Sequence, residues 1–249
     1  LEITVCDWYG ISCNLTGSVK KINLPKNNLK GSIPESIDIL AALTELNLNQ
    51  NSIAGKIPSS LLNLSGLQTL NLAYNILSGP LPAIKTTNET LWFLNLAGNH
   101  LSDEIRRSWE FFPNLSVLDL SYNKLSGGIP NSLASLTKIE TLTLSNNNLS
   151  GPVPDIFDSL ENLRRLDLKG NSLTGALPNL DGLSELTYLD LTSNAFEGVL
   201  KNSFENLPKL KELILFNNKW TGPPQEWIDT LRARGVMVST ESYGRYAFT

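Results

Sequence analysis

Three aspartates at equivalent places in the chain are the residues best suited to chemistry. Asp119, Asp167 and Asp190 each lie in a Leu-Asp-Leu triplet, whose alternation predicts a short strand with the carboxylate facing outward. Asp167 and Asp190 fall on adjacent predicted strands, where two carboxylates could bind Ca²⁺ or act as general acid and base. Because Arg165 and Lys169 lie on the same face, a solvated and neutralised ion-pair surface is the favoured interpretation.

Other catalytic arrangements lack the residues that they need. His100 is the one histidine of the chain, and no nucleophile motif, phosphate-binding loop or His-rich metal motif accompanies it. We therefore expect no enzyme activity, no catalytic residue, no metal site and no cofactor.

Two cysteines, Cys6 and Cys13, enclose the sequence CDWYGISC. A redox pair usually has two intervening residues, and a metal site needs more ligands than the distant His100 offers. A structural disulfide is therefore favoured. Closing so short a loop would stabilise this end of the chain by roughly 2.5 kcal/mol in the chain-entropy model.

Five N-x-S/T sequons are candidate glycosylation sites. Because the chain repeatedly has N-L-S at turns, some of these matches follow from its repeated pattern alone. Together with a disulfide, the sequons predict a secreted or extracellular chain. The candidate asparagines are Asn14, Asn63, Asn88, Asn114 and Asn148.

A repeated unit must position all of these side chains. The clearest copy is Leu115 to Lys138, LSVLDLSYNKLSGGIPNSLASLTK, and the period is 24 residues apart from one step of 23. A fixed period of this length predicts an α/β solenoid, with short parallel strands forming a sheet on the inner face. Nine repeats begin at Val19, Leu43, Leu67, Leu91, Leu115, Ile139, Leu163, Leu186 and Leu210.

Each end of a solenoid needs a cap, because an open end exposes apolar surface. Residues 1–18 are expected to form the N-terminal cap, 19–224 the nine repeats and 225–249 the C-terminal cap. We expect Trp8 to lie over the first leucine layer and Gly10 and Gly17 to lie at turns.

The C-terminal cap is predicted to contain a helix and a strand. Trp227, Ile228 and Leu231 recur at helical spacing within 225–234, and Gly235 is placed to end that helix. Residues 236–238 would add a last strand. The tail 243–248 is ambiguous between cap packing, a disordered end and the start of a further segment.

Two other elements of the repeat have structural interpretations. An asparagine recurs at the turn that leaves each strand, and its amide is expected to bond the backbone, giving a ladder. A Gly-x-Ile-Pro turn follows in most copies. Repeat four lacks it, and we expect a more helical segment there with Trp109 and Phe112 inward. The asparagines are Asn27, Asn51, Asn75, Asn99, Asn123, Asn147, Asn171, Asn194 and Asn218.

Composition excludes some classes of function. A net charge of -4 and a pI near 5.1 argue against a nucleic-acid partner, which needs a clustered basic surface. No run reaches the 18 apolar residues of a membrane span, and the N-terminus has no signal-peptide pattern. Since the chain also lacks an initiating Met, we expect a processed or excised ectodomain.

The outward face carries two candidate ligand-binding clusters. Aromatic residues on a polar surface are typical of an interface hot spot, while arginine could bind a carboxylate or sulfate. The alternative for both clusters is lateral packing or tolerated exposure. The first cluster comprises Tyr74, Trp92, Phe93, Val117 and Tyr122; the second comprises Arg165, Tyr188 and Phe216, with Arg164 beside it.

The motifs together resemble the plant-type extracellular leucine-rich repeat family of receptor kinases, receptor-like proteins and polygalacturonase inhibitors. Cys6, Trp8, Gly10 and Cys13 are similar to that family's C-x-W-x-G-[VI]-x-C cap, and the L-x-G-x-I-P turns are similar to its repeats. The resemblance implies a twisted right-handed superhelix, a second sheet layer after the asparagine turn, and ligand binding on the inner or lateral face.

These observations favour a non-enzymatic extracellular domain that binds a peptide or protein, with a co-receptor and glycan as further candidate partners. One alternative is an inhibitor or a carbohydrate-associated wall protein, which stackable aromatics would suit. Another is a structural module whose ends join copies of the chain. An ice-binding face is disfavoured, because Lys21, Glu45, Arg165 and Glu212 interrupt the flat array that it would need.

Overall fold

The inner strands of all nine repeats form one continuous sheet. The structure, a computed structural model, describes residues 4–105, 108–200, 204, 206–221 and 225–240. Neighbouring repeats pair in parallel and in register, so that Val117 lies between Phe93 and Thr141. With strands numbered in chain order, this sheet consists of β1 (Ile11–Cys13), β2 (Val19–Asn23), β4 (Glu45–Asn47), β6 (Thr69–Asn71), β8 (Phe93–Asn95), β10 (Val117–Asp119), β12 (Thr141–Thr143), β14 (Arg165–Asp167), β16 (Tyr188–Asp190), β18 (Glu212–Ile214) and β20 (Met237–Ser239).

A second layer of strands follows the asparagine turns, as the family resemblance implied. It is divided into two sheets at repeat four, where a single bridge pairs Glu104 with Ser126. Repeat four is the copy without the Gly-x-Ile-Pro turn, so the departure in sequence coincides with the break. The strands are β3 (Lys30–Ser32), β5 (Ser52–Gly55), β7 (Ile76–Pro80), β9 (His100–Ser102), β11 (Ser126–Gly127), β13 (Asn148–Pro152), β15 (Ser172–Gly175), β17 (Ala195–Gly198) and β19 (Lys219–Trp220).

Short helical turns lie on the outer side of several repeats. Helix α1 (Ser59–Leu62) is the one α-helix among the described repeat residues, and the other turns are 3-10 turns. In repeat four, Trp109 and Phe112 are buried as predicted, with ring centroids 6.2 Å apart. The expectation of a more helical segment there is wrong for the residues described. The 3-10 turns span Glu35–Ile39, Trp109–Phe111, Asn131–Ser135 and Phe157–Ser159.

The predicted asparagine ladder is confirmed. In repeat five, the Asn123 side chain is buried, and its amide nitrogen donates to the carbonyls of Leu96 and Leu120 at 3.0 and 3.1 Å. Its oxygen accepts the Leu101 backbone N–H at 3.0 Å. From Asn51 to Asn218, each of these side chains joins two repeats, and the ladder satisfies backbone groups that would otherwise be buried without partners.

The N-terminal cap confirms the disulfide and corrects the position of Trp8. Cys6 and Cys13 are bonded, and Gly10 adopts a positive φ of 75°, where an added Cβ would lie 2.4 Å from the Asn23 carbonyl oxygen. Trp8, however, is 61% exposed. The indole does not cover the leucine layer because β1 pairs antiparallel with β2 and covers the sheet edge instead.

The C-terminal cap contains the predicted helix and strand. Helix α2 (Gln225–Ala233) buries Trp227, Ile228 and Leu231 against the last repeat. Gly235 follows it with φ 84°, and β20 pairs in parallel with β18. The predicted tail 243–248 lies outside the described residues. Among the residues that the structure describes, no helix is long and apolar enough to span a membrane.

Candidate ligand-binding face

The inner sheet presents regular columns of outward side chains. From repeat two onward, the leucines on either side of the fifth residue are buried, as Leu118 and Leu120 are around Asp119. The third, fifth and seventh residues of the repeat therefore face outward. Since parallel strands lie about 4.8 Å apart, each column is a row of side chains that runs across the repeats.

An apolar row lies at the amino ends of the strands in repeats four and five. The rings of Trp92 and Phe93 meet edge to face with their centroids 5.7 Å apart, and Phe93 is the register partner of Val117. Trp92 is 47% exposed, while Phe93 and Val117 are half-buried. The sequence placed these three residues in one cluster, and in the structure they lie side by side.

Two tyrosines lie at the opposite ends of the strands. Tyr74 and Tyr122 occupy the eighth place of repeats three and five, where the backbone has a positive φ of 54° and 53°. They are 53% and 57% exposed. The third and eighth places are five residues apart, or roughly 16 Å in extended chain. The five residues of the predicted patch therefore lie in two rows along the strands, and their contact with one ligand stays a prediction.

Small residues lie between the two rows. Ala97 and Ser121 occupy the seventh place, and Ala97 is only 1% exposed. The two rows of exposed rings therefore border a strip of buried small side chains across repeats three to six. We call this surface the inner trough, with one wall of Trp92, Phe93 and Val117, the other of Tyr74 and Tyr122, and a floor of Ala73, Ala97, Ser121 and Ser145 together with the fifth-place residues Asn71, Asn95 and Asp119.

Gly98 determines where the Tyr74 ring lies. Gly98 occupies the eighth place of repeat four, between the two tyrosines, with φ 64°. A Cβ added there would be 2.5 Å from Cδ1 of Tyr74, so the ring lies directly against the glycine. Sequence reasoning missed Gly98 as part of the site. The interruption of the eighth-place column between Tyr74 and Tyr122 was the signal that could have identified it.

The second predicted cluster is a closed polar network. The guanidinium carbon of Arg165 lies 3.7 Å from the ring centroid of Tyr188, and the same guanidinium donates to Asp167 at 3.2 Å. The Tyr188 hydroxyl donates to Asp190 at 3.3 Å. Phe216 is half-buried on this face, and among the described residues its ring makes no aromatic contact with Tyr188.

Burial changes the electrostatics of this network. Desolvation raises the pKa of the Asp167 carboxyl, and the neighbouring carboxylate of Asp190 raises it further, against the opposing effects of the Lys169 backbone N–H and of Arg165. Burial and the charges of Asp190 and Asp167 raise the pKa of Tyr188 to about 12. The expectation of solvated carboxylates is wrong for Asp167 and Asp190, which are both buried.

The same contacts change the interpretation of the arginines. Arg165 already has a carboxylate and an aromatic partner within the chain, and the two buried carboxylates exceed its single charge. A ligand carboxylate is therefore poorly matched to this end of the sheet. Arg164 pairs with Glu140 at 3.6 Å and directly precedes β14. No group of three or more potential metal ligands occurs among the described residues.

The sequons differ in accessibility. Asn88 is 1% exposed, and its amide nitrogen, the atom that a glycan would occupy, donates to the carbonyls of Leu64 and Leu67 at 2.7 and 3.2 Å. The structure therefore argues against a glycan on Asn88. Asn63 and Asn114 are half-buried and also donate to backbone carbonyls, whereas Asn14 and Asn148 are exposed.

Sequence comparison assigns most of the repeats to one kind of unit. A profile described as leucine rich repeat matches residues 90–149, 113–173, 140–195 and 179–219, and a second leucine rich repeat profile matches residues 42–64. A search of curated proteins finds no match.

Solved structures with the same architecture include ectodomains of plant receptor kinases. The Arabidopsis HAESA ectodomain, in complex with an IDA peptide hormone that is lengthened at its N-terminus, is 34% identical over 91% of this chain, with a TM-score of 0.81. The HAESA ectodomain in complex with IDA and the co-receptor SERK1 is 31% identical over 96% of this chain, with a TM-score of 0.84. The GASSHO1/SCHENGEN3 ectodomain from Arabidopsis thaliana, in complex with CASPARIAN STRIP INTEGRITY FACTOR 2, is 30% identical over 91% of this chain, with a TM-score of 0.80.

The lengths of these proteins differ from that of the chain. The chain spans 39% and 41% of the two HAESA chains and 30% of the GASSHO1/SCHENGEN3 chain. The fold that they share is that of non-enzymatic recognition domains, in agreement with the sequence-based expectation of no enzyme activity.

Proposed function

The chain belongs to the leucine-rich repeat family, and we propose that it is an extracellular, receptor-like recognition domain that binds a peptide or an extended protein segment in the inner trough. Two similar ectodomains support this proposal, because HAESA is described in complex with a peptide hormone and GASSHO1/SCHENGEN3 with an integrity factor. A co-receptor is a second candidate partner, since HAESA is also described together with SERK1.

The exposure of aromatic rings on the inner trough is the observation that carries the proposal. Tyr74, Trp92 and Tyr122 are each about half exposed, although the leucines beside them are fully buried. Rigid aromatic rings bury a large area at a small cost in conformational entropy, and they dominate the binding energy of many interfaces. Rings on both sides of a low floor suit a narrow ligand such as an extended peptide.

The extracellular location is supported by the disulfide and by the two exposed sequons, Asn14 and Asn148. Disulfides persist in oxidising compartments and are rare in the cytosol. Glycans at these two positions would project from the cap and from the second strand layer, so they would leave the inner trough open.

Removing one wall of the trough tests the proposal. We expect the double substitution of Trp92→Ala and Phe93→Ala to abolish detectable binding of synthetic peptides to the full chain, because the wall is lost. Binding is measured by retention of the chain on immobilised random nonapeptides. Trp8→Ala is the matched control, since Trp8 is also an exposed tryptophan, 61% against 47% for Trp92, but lies in the N-terminal cap.

The outcome is interpreted with folding measured in parallel. Circular dichroism should show that both variants keep the wild-type spectrum, because Trp8, Trp92 and the half-buried Phe93 all lie outside the buried core. Equal retention of the double variant and the control would refute binding at the inner trough.

A further inference from the structure

Asp119 is the only charged residue of the inner trough. Its register partners are Asn95 and Thr143, and the outward residues on either side of it in its own repeat are Val117 and Ser121. A single negative charge among neutral side chains gives the trough a defined electrostatic character.

The hydrogen bonds of Asp119 leave one carboxylate oxygen for a ligand. Oδ1 accepts the backbone N–H of Ser121 at 3.0 Å and its hydroxyl at 2.6 Å. Oδ2 has no hydrogen-bond or ion-pair partner among the described residues. Two other inner-face carboxylates are paired within the chain, Glu45 with Lys21 at 2.9 Å and Asp167 with Arg165 at 3.2 Å.

Two amides in the same column supply hydrogen-bond donors. The oxygens of Asn71 and Asn95 accept the backbone N–H groups of Ala73 and Ala97 at 3.2 and 3.0 Å. Because an N–H cannot donate to an NH₂ group, these bonds determine which end of each amide is the oxygen. The two NH₂ groups have no partner among the described residues and are available to backbone carbonyls of a ligand.

The column therefore has a definite polarity across the repeats. Going from repeat three to repeat five, it offers an amide donor, a second amide donor and then a carboxylate. With strands about 4.8 Å apart, Asn71 and Asp119 are roughly 9.6 Å apart, which is the length of three extended residues. A short peptide lying across the strands can contact all three groups at once.

From these contacts we infer that the ligand of the inner trough carries a lysine or arginine that pairs with Asp119, with apolar residues beside it that contact the walls. This inference rests on the proposed function and specifies the ligand. The neighbouring amides bind the ligand backbone without regard to its sequence, so Asp119 is the residue that selects for charge. A calcium ion is a poor alternative, because it takes six to eight oxygen ligands.

A peptide library with one fixed residue tests the inference. Immobilised nonapeptides carry Lys, Arg, Glu or Met at the central position and random residues elsewhere, and the full chain is applied to each pool. We expect the wild-type chain to prefer the Lys and Arg pools to the Glu pool by roughly tenfold, as is typical of a charge-assisted hydrogen bond.

Two variants assign that preference to Asp119. In Asp119→Asn the amide oxygen can still accept the Ser121 N–H, as in Asn71 and Asn95, so the fold should be retained. This variant should lose the preference for basic pools. Asp155→Asn is the matched control, because it removes an equal charge from an exposed carboxylate on the outer side and should keep the preference.

The possible results separate the inference from the proposed function. If peptides are retained without a preference for basic residues, or if Asp119→Asn keeps that preference, the inference is wrong and the proposed function stands. If the wild-type chain retains no pool, both are wrong.

Discussion

Replacing Gly98 by alanine should disturb the inner trough without substituting any of the residues proposed to contact the ligand. The added Cβ would lie 2.5 Å from Cδ1 and 2.9 Å from Cε1 of Tyr74, which is more than 0.5 Å inside normal carbon contact distances of about 3.5 Å. The tyrosine ring must therefore move away from the position that it now occupies beside the trough.

The cost in stability can be estimated from the backbone. Gly98 has φ 64°, and a residue with a Cβ in the left-handed region costs about 1–2 kcal/mol. Gly170→Ala is the matched control, because Gly170 has φ 66° at the same place in repeat seven, and its added Cβ would meet Oδ1 of Asn146 at 2.7 Å. Both variants should lose a similar amount of unfolding free energy in a urea titration.

Ligand binding should distinguish the two variants. Tyr74 forms part of one wall, and loss of an aromatic contact at an interface typically costs at least 1 kcal/mol, so Gly98→Ala should weaken binding of a retained peptide by roughly fivefold to tenfold. Gly170→Ala should leave the affinity unchanged, as measured by fluorescence anisotropy of the labelled peptide. Equal affinities for the two variants would refute the role assigned to the Tyr74 ring.

Two further predictions concern the ladder and the location of the protein. Asn123→Ala leaves the buried Leu101 N–H without a partner and should lower the unfolding free energy by about 2–4 kcal/mol in a urea titration. Asn27→Ala, at the exposed first asparagine of the ladder, should change the unfolding free energy by less than about 0.5 kcal/mol. Similar losses in the two variants would contradict the ladder account. Glycosidase treatment of native material should reduce its mass, and Asn148→Gln should remove part of that shift; an unchanged mass together with free thiols at Cys6 and Cys13 would argue against an extracellular chain.

Much of the fold could be predicted because it depends on residues that recur with the repeat period. The positions of Asn123 and its equivalents, the buried leucines and the helix with Trp227 all follow from side chains that recur at intervals imposed by the backbone. The cap was less predictable. Whether Trp8 or a β-strand covers the first repeat depends on the antiparallel pairing of β1 with β2, which no periodic pattern specifies.

The residues of the candidate site could be predicted from the sequence, whereas their positions relative to one another could not. The columns identify Phe93 and Tyr74 as outward residues, but the distance between them along the strand separates the aromatic cluster into two walls. The burial of Asp167 depends on Arg165 and Tyr188 packing over the same surface, which is a property of three side chains together. That Oδ2 of Asp119 has no partner among the described residues likewise becomes visible only when its neighbours and their bonds are known.

A structure of the chain bound to the best-retained peptide tests the central claim most directly. We expect the peptide to lie across β8 and β10, between the wall of Trp92 and the wall of Tyr122, with a basic side chain at Asp119. A peptide bound on the outer side or on the second strand layer, with the inner trough empty, would contradict the claim.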